Sequence, residues 1–360
     1  MSFSGDGGVE RMICNLAGGM VRAGYRVDLI LARAKGRHLD SIPEGVNQIR
    51  LGTRHTLSAL PALISYMRRE EPAAFLAAKD RAIRVAVMAR WLSGKDVWLT
   101  GRIGTTVSAA LEGKGVFKRW VWYSGMRWFY RRTDHIVAVS KGVADNIRSI
   151  TGLPDSSISV VANPVITEDL RTRSMETVNH PWFDEAQLPV IMGMGRLTDQ
   201  KDFTTLIMAF SRVRTQLPCR LFIPGEGGKR GELEALISEL GLEEDIELPG
   251  FIKNPYPFLR LSSLFVLSSR WEGSPNVLTE ALSLGIPVVS TDCRSGPNEI
   301  LAGGRYGNLV PVGDNEALAE AILRTLEEPL PAETTKDAVR NYTVSESVRG
   351  YLKALKLSGN

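Results

Sequence analysis

Glu272 and Glu280 lie on either side of a predicted helix start in the segment RWEGSPNVLTEALSLG. Ser274 is a good helix N-cap, Pro275 suits the first helical position, and Gly285 is a typical helix stop. Backbone N–H groups and a partial positive charge at such a helix start favour a phosphate. The pattern therefore predicts a sugar-nucleotide site, with the diphosphate at the helix end and hydroxyls at the two carboxylates.

At these residues the chain resembles the retaining glycosyltransferases of family 4, which have the GT-B fold. Their signature is a pair of glutamates with seven residues between them, matched by Glu272 and Glu280, often followed by a motif matched by residues 296–300 (GPNEI). A bare glutamate pair also fits an ordinary solvated helix face. The surrounding sequence SRWEGSPNVLTEALSLGIPVVSTD is much more specific, and the resemblance rests on it.

The resemblance assigns roles within this segment. It implies that Glu280 accepts hydrogen bonds from the ribose hydroxyls and that Glu272 contacts the donor sugar near its 3- or 4-hydroxyl. It also implies that backbone N–H groups around Asn276 and Val277 hold the diphosphate. The donor-binding residues expected in this segment are Ser274, Asn276, Val277 and Glu280.

A glycine-rich loop at residues 5–8 (GDGG) opens the first predicted helix. Glycines let the backbone approach a ligand closely, and a helix start favours an anion, although a plain tight turn fits equally well. In family 4 this loop faces the donor diphosphate and the acceptor. The resemblance therefore implies donor-binding roles for Gly7 and Gly8.

The loop from Gly195 to Lys201 follows a predicted strand, and ligands bind at the carboxyl ends of strands in open α/β sheets. Arg196 can fork onto phosphate oxygens and Lys201 can supply a point charge, although surface loops often contain such residues. Similarity to the family motif Gly-Arg-x4-Lys favours the phosphate role. We expect Glu272, Arg196 and Lys201 to be the catalytic residues and Gly195 to contact the donor.

The loops after the next two strands contain Gly225, Glu226 and Phe251. Both loops would lie at the same edge of the sheet. Family members use them to hold the nucleotide base, largely through backbone groups, so the base is poorly encoded in the sequence. The resemblance implies a uracil nucleotide by default.

Metal binding has no support in the sequence, which contains no Asp-x-Asp motif and no histidine cluster with metal spacing. We expect no metal and no other cofactor, because Arg196, Lys201 and the helix end can supply positive charge. The resemblance implies a same-face attack in which the leaving diphosphate helps to deprotonate the acceptor. The protein then mainly positions the reactants and stabilises charge.

Many family members have a histidine after the strand matched here by residues 97–100. This chain has GRIGTT at that place, and none of its four histidines, His38, His55, His135 and His180, fits it. Arg102 can instead bind an anionic group of the acceptor; the alternative is a structural arginine.

The composition is that of an ordinary globular protein, with 44% hydrophobic and 23% charged residues in 360. No apolar run approaches the ~20 residues of a membrane-spanning helix, and MSFSGDGG lacks the basic and apolar parts of a signal peptide. Cys14, Cys219 and Cys293 are odd in number and far apart, which favours a reducing compartment without disulfides or a zinc site. We expect a cytoplasmic protein.

The charge is unevenly distributed. Residues 1–150 hold 24 Lys/Arg against 12 Asp/Glu, a net charge of +12, whereas residues 151–360 hold 20 against 28, a net charge of −8. A basic first half indicates that this half binds something anionic.

Residues 114–132 (KGVFKRWVWYSGMRWFYRR) mix basic and aromatic side chains. Tryptophan and tyrosine suit a membrane interface, and lysine and arginine suit anionic headgroups. The alternative is an ordinary helix that buries its aromatics against a sheet; nucleic acid has no further support. The residues predicted to contact the acceptor or the cytoplasmic face of the inner membrane are Arg102, Lys118, Arg119, Trp120, Trp122, Arg127, Trp128 and Arg131.

Short apolar runs alternate with helical patterns along the whole chain, which predicts parallel sheets covered on both faces. The predicted strands are 26–32, 73–77, 97–100, 135–140, 160–161, 190–194, 220–223, 246–248, 264–267 and 287–290. The predicted helices are 8–23, 61–69, 80–92, 141–150, 203–215, 231–240, 277–284, 316–326 and 344–357.

The expected fold class is α/β, with two Rossmann-like doubly wound domains facing a cleft as in GT-B enzymes. The acceptor-binding N-terminal domain comprises residues 1–165 and the C-terminal helix 344–360, which the resemblance returns to it. Residues 166–187 are polar and predict an irregular linker, and residues 188–343 form the nucleotide-sugar domain.

The first strand of the N-terminal domain is expected to be missing. Family members have a full strand before the glycine loop, whereas Met1 here lies almost on that loop. That strand is central in a doubly wound sheet, so its loss leaves two strand edges unpaired. We expect a start codon assigned too late or a truncated chain, and a less stable first domain.

The sequence as a whole favours a metal-independent retaining glycosyltransferase. Its donor would be a nucleoside diphosphate sugar, and its acceptor a membrane-associated glycan or lipid-linked glycan in surface polysaccharide or lipopolysaccharide assembly. Two alternatives stay open: a catalytically weak glycan-binding or assembly subunit, and a GT-B sugar-nucleotide epimerase. Donor sugar, linkage and oligomeric state are not encoded in readable form.

Overall fold

The protein is described from a computed structural model that covers residues 2–3, 8–34, 42–53, 57–184 and 188–357. Gly7, His38 and His55 lie outside the described residues. The chain divides into two compact units, residues 1–165 with 341–360, and residues 166–340.

The first unit contains eight strands and seven α-helices in its described part. The strands are β1 (Ser2–Phe3), β2 (Val27–Leu31), β3 (Arg33–Ala34), β4 (Val46–Arg50), β5 (Ala74–Ala78), β6 (Trp98–Ile103), β7 (His135–Ala138) and β8 (Ile158–Val160). The helices are α1 (Gly8–Arg22), α2 (Leu60–Glu70), α3 (Asp80–Ser93), α4 (Val107–Ala110), α5 (Val116–Tyr130), α6 (Lys141–Thr151) and α16 (Val344–Ala354).

The second unit contains β9 to β14 and α7 to α15. Its strands are β9 (Val190–Met192), β10 (Arg220–Phe222), β11 (Ile246–Glu247), β12 (Leu264–Leu267), β13 (Val288–Thr291) and β14 (Asn308–Val310). Its helices are α7 (Glu168–Ser174), α8 (Pro181–Asp184), α9 (Phe203–Arg214), α10 (Arg230–Glu239), α11 (Tyr256–Leu261), α12 (Asn276–Ser283), α13 (Pro297–Ile300), α14 (Asn315–Glu327) and α15 (Ala332–Asp337).

The sheet of the second unit is continuous. Its six parallel strands have the order β11-β10-β9-β12-β13-β14, so the order of the chain reverses between β9 and β12. In doubly wound sheets such a switch point opens a crevice at the carboxyl ends of the strands, where ligands bind. The predicted fold class is confirmed here, and the helices cover a core built on Ile191, Leu221 and Leu264.

The sheet of the first unit is divided. Parallel strands β5-β6-β7-β8 form one part, β2 and β4 a second, and β1 and β3 a third. A cavity of about 450 Å³ is lined by residues of β2 and β5, together with Leu16 of α1 and Leu352 of α16. Where the sequence predicts a missing first strand, the structure has the two-residue strand Ser2–Phe3 paired with Arg33–Ala34.

Helix α16 belongs to the first unit and packs on α1. The buried side chains Val348 and Tyr351 join the same core as Leu16 and Val137. Trp98 Nε1 and Thr100 Oγ1 both donate to the carbonyl of Ala354, each at 2.9 Å. These contacts fix the last helix against strand β6.

Residues 166–187 are not the irregular linker that their polar composition predicts. Their described part contains α7 and α8 and lies in the second unit. Arg260 Nε donates to Ser174 O at 2.8 Å, and the Phe183 and Phe222 rings lie 5.2 Å apart. A few buried apolar side chains, such as Leu170 and Phe183, outweigh the polar composition of the segment.

Candidate active site

Helix α12 begins at Asn276, after β12 and the switch point of the second sheet. Its N-cap is Pro275, which caps with backbone only, so the prediction that Ser274 is the cap is wrong by one residue. The helix ends at Ser283 with Leu284 as its C-cap, and Gly285 follows in the left-handed region, which agrees with its predicted role as a helix stop. The eight-residue helix therefore directs its N-terminus, and the positive end of its dipole, to the carboxyl edge of the sheet.

Glu272 lies just before this helix and is held by two side chains from that edge. Lys201 Nζ lies 2.6 Å from Glu272 Oε1, and Ser269 Oγ donates to the same oxygen at 2.8 Å. The Lys201 and Glu272 side chains are only 15% and 10% exposed. A carboxylate this far from water is not part of a solvated helix face.

The loops that carry Lys201 and Glu272 are tied together by hydrogen bonds to their backbone carbonyls. Arg270 N donates to Gln200 O at 2.8 Å, Gln200 Nε2 donates to Trp271 O at 3.0 Å, and Ser268 Oγ donates to Lys201 O at 2.8 Å. The loops follow β9 and β12, which are neighbours at the switch point. The topology therefore brings together residues 71 positions apart in the chain.

Glu280 lies one turn inside α12 and is 1% exposed. Thr279 beside it is also fully buried. The two glutamates of the sequence signature are thus both buried at the start of one helix, and a pair of buried carboxylates is what ligand hydroxyls need as acceptors.

Three loops meet at the carboxyl ends of β9, β10 and β11. Gly225 N donates to Gly250 O at 2.8 Å, and a Cβ at Gly225 would lie 1.8 Å from Gly195 O. Only glycine allows the loops at 195 and 225 to come so close. Arg196 is exposed beside them, and Phe251 is half-buried in the third loop.

Arg230 is a residue of this site that sequence reasoning missed. Its guanidinium donates to both oxygens of Glu226, at 2.8 and 3.0 Å, and to Leu248 O at 3.1 Å. Hydrogen bonds from Arg230 lower the pKa of the Glu226 carboxyl. Arg230 therefore joins the loop of Glu226 to the loop after β11; the i,i+4 spacing of the two residues at a helix start was the available signal.

Cys293 is buried beside the same pair of charges. Burial and the negative charge of Glu272 raise the pKa of this thiol to about 12, although Lys201 opposes the shift. The thiol is therefore neutral and unreactive at physiological pH.

Arg102 does not have the exposure that a ligand-binding cation needs, so the prediction that it binds an acceptor anion is corrected. Its side chain is buried, and it donates to Tyr351 Oη at 3.1 Å and to Asn163 Oδ1 at 2.8 Å. The guanidinium joins β6 to α16 and to the loop after β8. This is the structural role that the sequence left open.

Helix α5 has two aromatic faces. Trp122, Met126 and Phe129 pack into the first unit, whereas Trp120 and Trp128 are 61% and 50% exposed. The predicted membrane role of Trp122 is therefore wrong, because this ring lies on the inner face below Arg84. The exposed hydrophobic residues of the outer face are Val116, Phe117, Trp120, Val121 and Trp128.

The basic residues of α5 also fall into two sets. Lys118 and Arg119 are exposed near its first turn. Arg127 Nε donates to Ile150 O at 2.7 Å and Arg131 Nε to Thr151 O at 3.0 Å, so these two tie the helix to the end of α6. Within the predicted membrane set, therefore, Lys118 and Arg119 are the exposed cations near the first turn of α5, whereas Arg127 and Arg131 are engaged with backbone carbonyls.

Neither described histidine lies at a candidate ligand position. His135 Nε2 contacts Ser159 Oγ at 3.0 Å, and burial lowers the pKa of this imidazole. His180 Nε2 contacts Glu247 Oε2 at 2.9 Å. Within the described residues, no group of three His, Cys, Asp or Glu side chains is arranged to hold a metal ion. In the same part of the chain, no helix combines the length and the apolar character needed to span a bilayer.

Two family models match the chain. Residues 6–169 match the model described as Glycosyltransferase Family 4, and residues 188–328 match the model described as Glycosyl transferases group 1. The chain belongs to the family 4 glycosyltransferases. The resemblance to family 4 glycosyltransferases seen in the sequence is thus confirmed, whereas retention at the anomeric carbon stays a prediction.

Curated relatives cover different shares of the glycosyltransferase. It is 29% identical over 326 residues to lipopolysaccharide core biosynthesis glycosyltransferase LpsE of Rhizobium meliloti, which is 89% of this chain and 86% of that protein. It is 37% identical over 179 residues to an uncharacterized glycosyltransferase of Methanocaldococcus jannaschii, which is 49% of this chain and 44% of that protein. The chain therefore spans less than half the length of that second relative.

A third relative names a lipid-linked acceptor. The glycosyltransferase is 30% identical over 249 residues to N-acetylgalactosamine-N,N'-diacetylbacillosaminyl-diphospho-undecaprenol 4-alpha-N-acetylgalactosaminyltransferase of Campylobacter jejuni, covering 69% of this chain and 66% of that protein. Among solved structures, HepE of Anabaena in complex with UDP-glucose superimposes with a TM-score of 0.77 at 17% identity, over 99% of this chain and 98% of that one. At this identity the similarity shows the GT-B fold alone.

Proposed function

We propose that this glycosyltransferase moves a sugar from a UDP-sugar to a membrane-held glycan or lipid-linked acceptor, with retention at the anomeric carbon. The observation that carries the proposal is the buried Glu272–Lys201 pair at the N-terminus of α12. A cation and a helix start suit the diphosphate, and a buried carboxylate suits sugar hydroxyls.

The donor roles follow from these positions. Glu280, inside α12, accepts from the ribose hydroxyls, and the backbone around Asn276 and Val277 binds the diphosphate. Arg196 and Lys201 add positive charge, so the leaving group is stabilised without a metal ion. The loops of Gly195, Gly225 and Phe251 hold the base, and Gly8 keeps the donor-binding role that its glycine-rich loop implies.

The reaction proceeds on one face of the sugar. The bond from the anomeric carbon to the diphosphate oxygen breaks, and the acceptor oxygen forms its bond on the face that the diphosphate leaves. The acceptor proton moves to the departing diphosphate oxygen, so no protein base is required. Glu272 orients the sugar hydroxyls, and Lys201 holds the Glu272 side chain in place.

The choice of donor and acceptor is supported by the relatives. HepE holds UDP-glucose in a chain of the same fold. LpsE is named for lipopolysaccharide core biosynthesis, and the Campylobacter enzyme for a diphospho-undecaprenol acceptor. We therefore assign this enzyme to cell-surface polysaccharide assembly at the cytoplasmic face of the membrane.

The outer face of α5 is the proposed membrane contact. Phe117 and Trp120 are 77% and 61% exposed, and Lys118 and Arg119 lie between them in sequence. Aromatic rings insert at the level of the headgroups, and the cations favour anionic lipid. Such a contact would keep the enzyme on the surface that carries its acceptor.

Donor turnover tests the catalytic proposal. Purified protein is incubated with UDP-glucose, UDP-galactose, UDP-GlcNAc, UDP-GalNAc or GDP-mannose, in EDTA, with and without membrane lipid extract. We expect lipid-dependent release of UDP, lost in Glu272→Gln and retained in Glu316→Gln, which changes an exposed glutamate bound to Arg212.

Other outcomes separate the alternatives. Binding of UDP without turnover of any donor would favour the binding-subunit alternative. Conversion of a UDP-sugar to its epimer without transfer would favour the epimerase. Full activity only with added Mg²⁺ would contradict the metal-independent mechanism.

Vesicle binding tests the membrane contact. We expect the protein to sediment with phosphatidylglycerol vesicles and not with phosphatidylcholine vesicles, and Trp120→Ala with Trp128→Ala to weaken sedimentation. Trp91→Ala, which removes a 79% exposed ring of α3, is the matched control. Equal loss in the control, or none in the double variant, would contradict the assignment to α5.

A further inference from the structure

The first unit contains a lysine–glutamate pair of its own; Glu10 follows the glycine-rich loop of residues 5–8, but no sequence motif links it to Lys79. Lys79 Nζ lies 3.1 Å from Glu10 Oε1. The Glu10 side chain is 5% exposed, and the Lys79 side chain is 47% exposed. The carboxylate is thus buried, while the ammonium it holds reaches solvent.

Both residues lie where strands of a parallel sheet end. Lys79 directly follows β5, and α3 begins at Asp80. Glu10 is in the first turn of α1, whose N-terminus is brought to the same edge by the ion pair. The carboxyl edge of an open α/β sheet is where ligands bind.

The backbone at Lys79 is in a conformation that favours glycine. Its φ is 82° and its ψ is 146°. Lys79 N donates to Arg102 O at 3.2 Å, and Ala82 N and Ile83 N donate to Lys79 O. A side chain at such a position carries strain, and strain of this kind is concentrated at functional sites. Glycine would remove the strain, so the presence of lysine points to a use for its ammonium group.

The charged residues Asp80 and Arg102 beside Lys79 are already paired, whereas the Lys79 ammonium is accessible. Arg84 Nε and Tyr130 Oη donate to the two oxygens of Asp80 at 2.9 and 3.1 Å. Arg102 is buried and bound to Tyr351 and Asn163. An ammonium has three N–H donors, and the contact with Glu10 occupies one of them.

We propose that Lys79 binds a phosphate group of the acceptor, and that Glu10 is the positioning residue that aims the ammonium. The proposal rests on the proposed function and deepens it, since it names the chemistry that the first unit recognises. The net charge of +12 on residues 1–150 favours the same kind of ligand. The phosphate could belong to a polyprenyl diphosphate or to a phosphorylated glycan.

Titration calorimetry with the full chain tests the proposal. Farnesyl diphosphate and glucose 1-phosphate are the two probes, and UDP binding reports whether the second unit is intact. The variants are Lys79→Met, Lys79→Arg, Glu10→Gln and the control Arg81→Met, which removes an exposed cation two residues away. Binding of farnesyl diphosphate alone would identify a polyprenyl diphosphate as the source of the phosphate. Binding of glucose 1-phosphate would identify a phosphorylated glycan.

We expect Lys79→Met to weaken binding of the phosphate probe by about tenfold or more, as for loss of a charged hydrogen bond. Lys79→Arg should retain most of the affinity, Glu10→Gln should have an intermediate effect, and Arg81→Met should bind as the wild type does. UDP affinity should be unchanged in all four variants.

Several results would overturn the proposal. Wild-type affinity of Lys79→Met for the phosphate probes is one, and failure of the wild type to bind either probe is another. Equal loss of UDP binding in Lys79→Met would show a structural role only. Failure of the wild type to bind UDP would instead count against the proposed donor site, so the two proposals fail separately.

Discussion

The two units of this glycosyltransferase each have a lysine–glutamate pair at the carboxyl edge of a parallel sheet, but the pairs are built differently. Lys201 and Glu272 come from loops after adjacent strands, lie 2.6 Å apart, and are both largely buried. Lys79 and Glu10 lie 3.1 Å apart, and only the glutamate is buried. The difference fits the proposed roles, in which the closed pair serves the donor and the open pair leaves its ammonium to another ligand.

The sheet that carries the closed pair is also the more continuous of the two. The second unit has one continuous six-stranded sheet, whereas the described strands of the first unit form three separate pieces beside a cavity of about 450 Å³. Packing defects of this kind lower stability. The comparison therefore predicts that the second unit is rigid and that the first unit unfolds more easily.

The largest expected difference is between the effects of the two glutamates on kcat. Glu272→Gln should lower kcat by about 10² or more, because it removes a charge that acts at the reacting sugar. Glu10→Gln should act mainly through the KM of the acceptor, because Glu10 only aims Lys79. Steady-state kinetics of both variants with one donor and one acceptor measure the difference. An equal fall in kcat in both would remove the distinction between donor and acceptor pairs.

The next largest difference is between the free energies of unfolding that are lost when each lysine is replaced. Lys201→Met leaves Glu272 buried without its cation, and breaking such a buried pair costs about 3 kcal/mol. Lys79 is half-exposed, so water already screens the pair from the lysine side, and Lys79→Met should cost only about 1 kcal/mol. Urea unfolding of each variant, followed by tryptophan fluorescence, gives both values. A larger loss in Lys79→Met would show that the first pair is the more buried of the two in solution.

Buried strands, and site residues that lie close together in the chain, could be predicted from the sequence. Exposed strands, and residues brought together only by the fold, could not. Strands β12 and β9 were predicted within two residues at each end, because central strands are uniformly apolar. Strand β4 was missed, because among the described strands it pairs with β2 alone and three of its five residues are exposed. Strand β14 was missed because it is short and begins with a polar residue.

The candidate site shows the same limit. Glu272 and Glu280 stand close in sequence within a specific motif, so the donor site was predicted from the pattern. Glu10 and Lys79 lie 69 residues apart, and no sequence motif links them. Only the fold brings them together, and only its dihedral angles show the strain at Lys79.

A matched pair of core substitutions tests the difference in packing. Ala17 in α1 lines the cavity of the first unit, whereas Ala209 in α9 is fully buried in the core of the second. Ala209→Leu should destabilise by about 1–3 kcal/mol through overpacking. Ala17→Leu should be neutral or stabilise by up to about 1 kcal/mol, because it places methyl groups in a void. Thermal unfolding of both variants decides this, and two equal losses would mean that the cavity is closed in solution.

Arg230 tests how far the donor unit depends on its loops. Arg230→Met removes the link between Glu226 and the loop after β11, so we expect the KM for the UDP-sugar to rise about tenfold, as for loss of charged hydrogen bonds, with kcat little changed. The pKa of Glu226 should rise at the same time, because the guanidinium that lowers it is gone. Kinetics and a carboxyl NMR titration measure the two effects, with Arg212→Met as the surface control. A fall in kcat without a change in KM would place Arg230 at the reacting sugar instead.

The smallest effect concerns the strain at Lys79. Any substitution of Lys79 in the wild type also breaks the ion pair with Glu10, so the informative comparison starts from Glu10→Gln, where that ion pair is absent. In that background Lys79→Gly should be more stable than Lys79→Ala by about 1 kcal/mol, because glycine adopts a φ of 82° without strain. Urea unfolding measures the difference, and equal stability would show that the backbone relaxes. If the Lys79→Gly variant is the more stable but no longer binds the phosphate probe, the first unit keeps a strained lysine because its ligand needs it. The second unit, in contrast, holds Lys201 by burial.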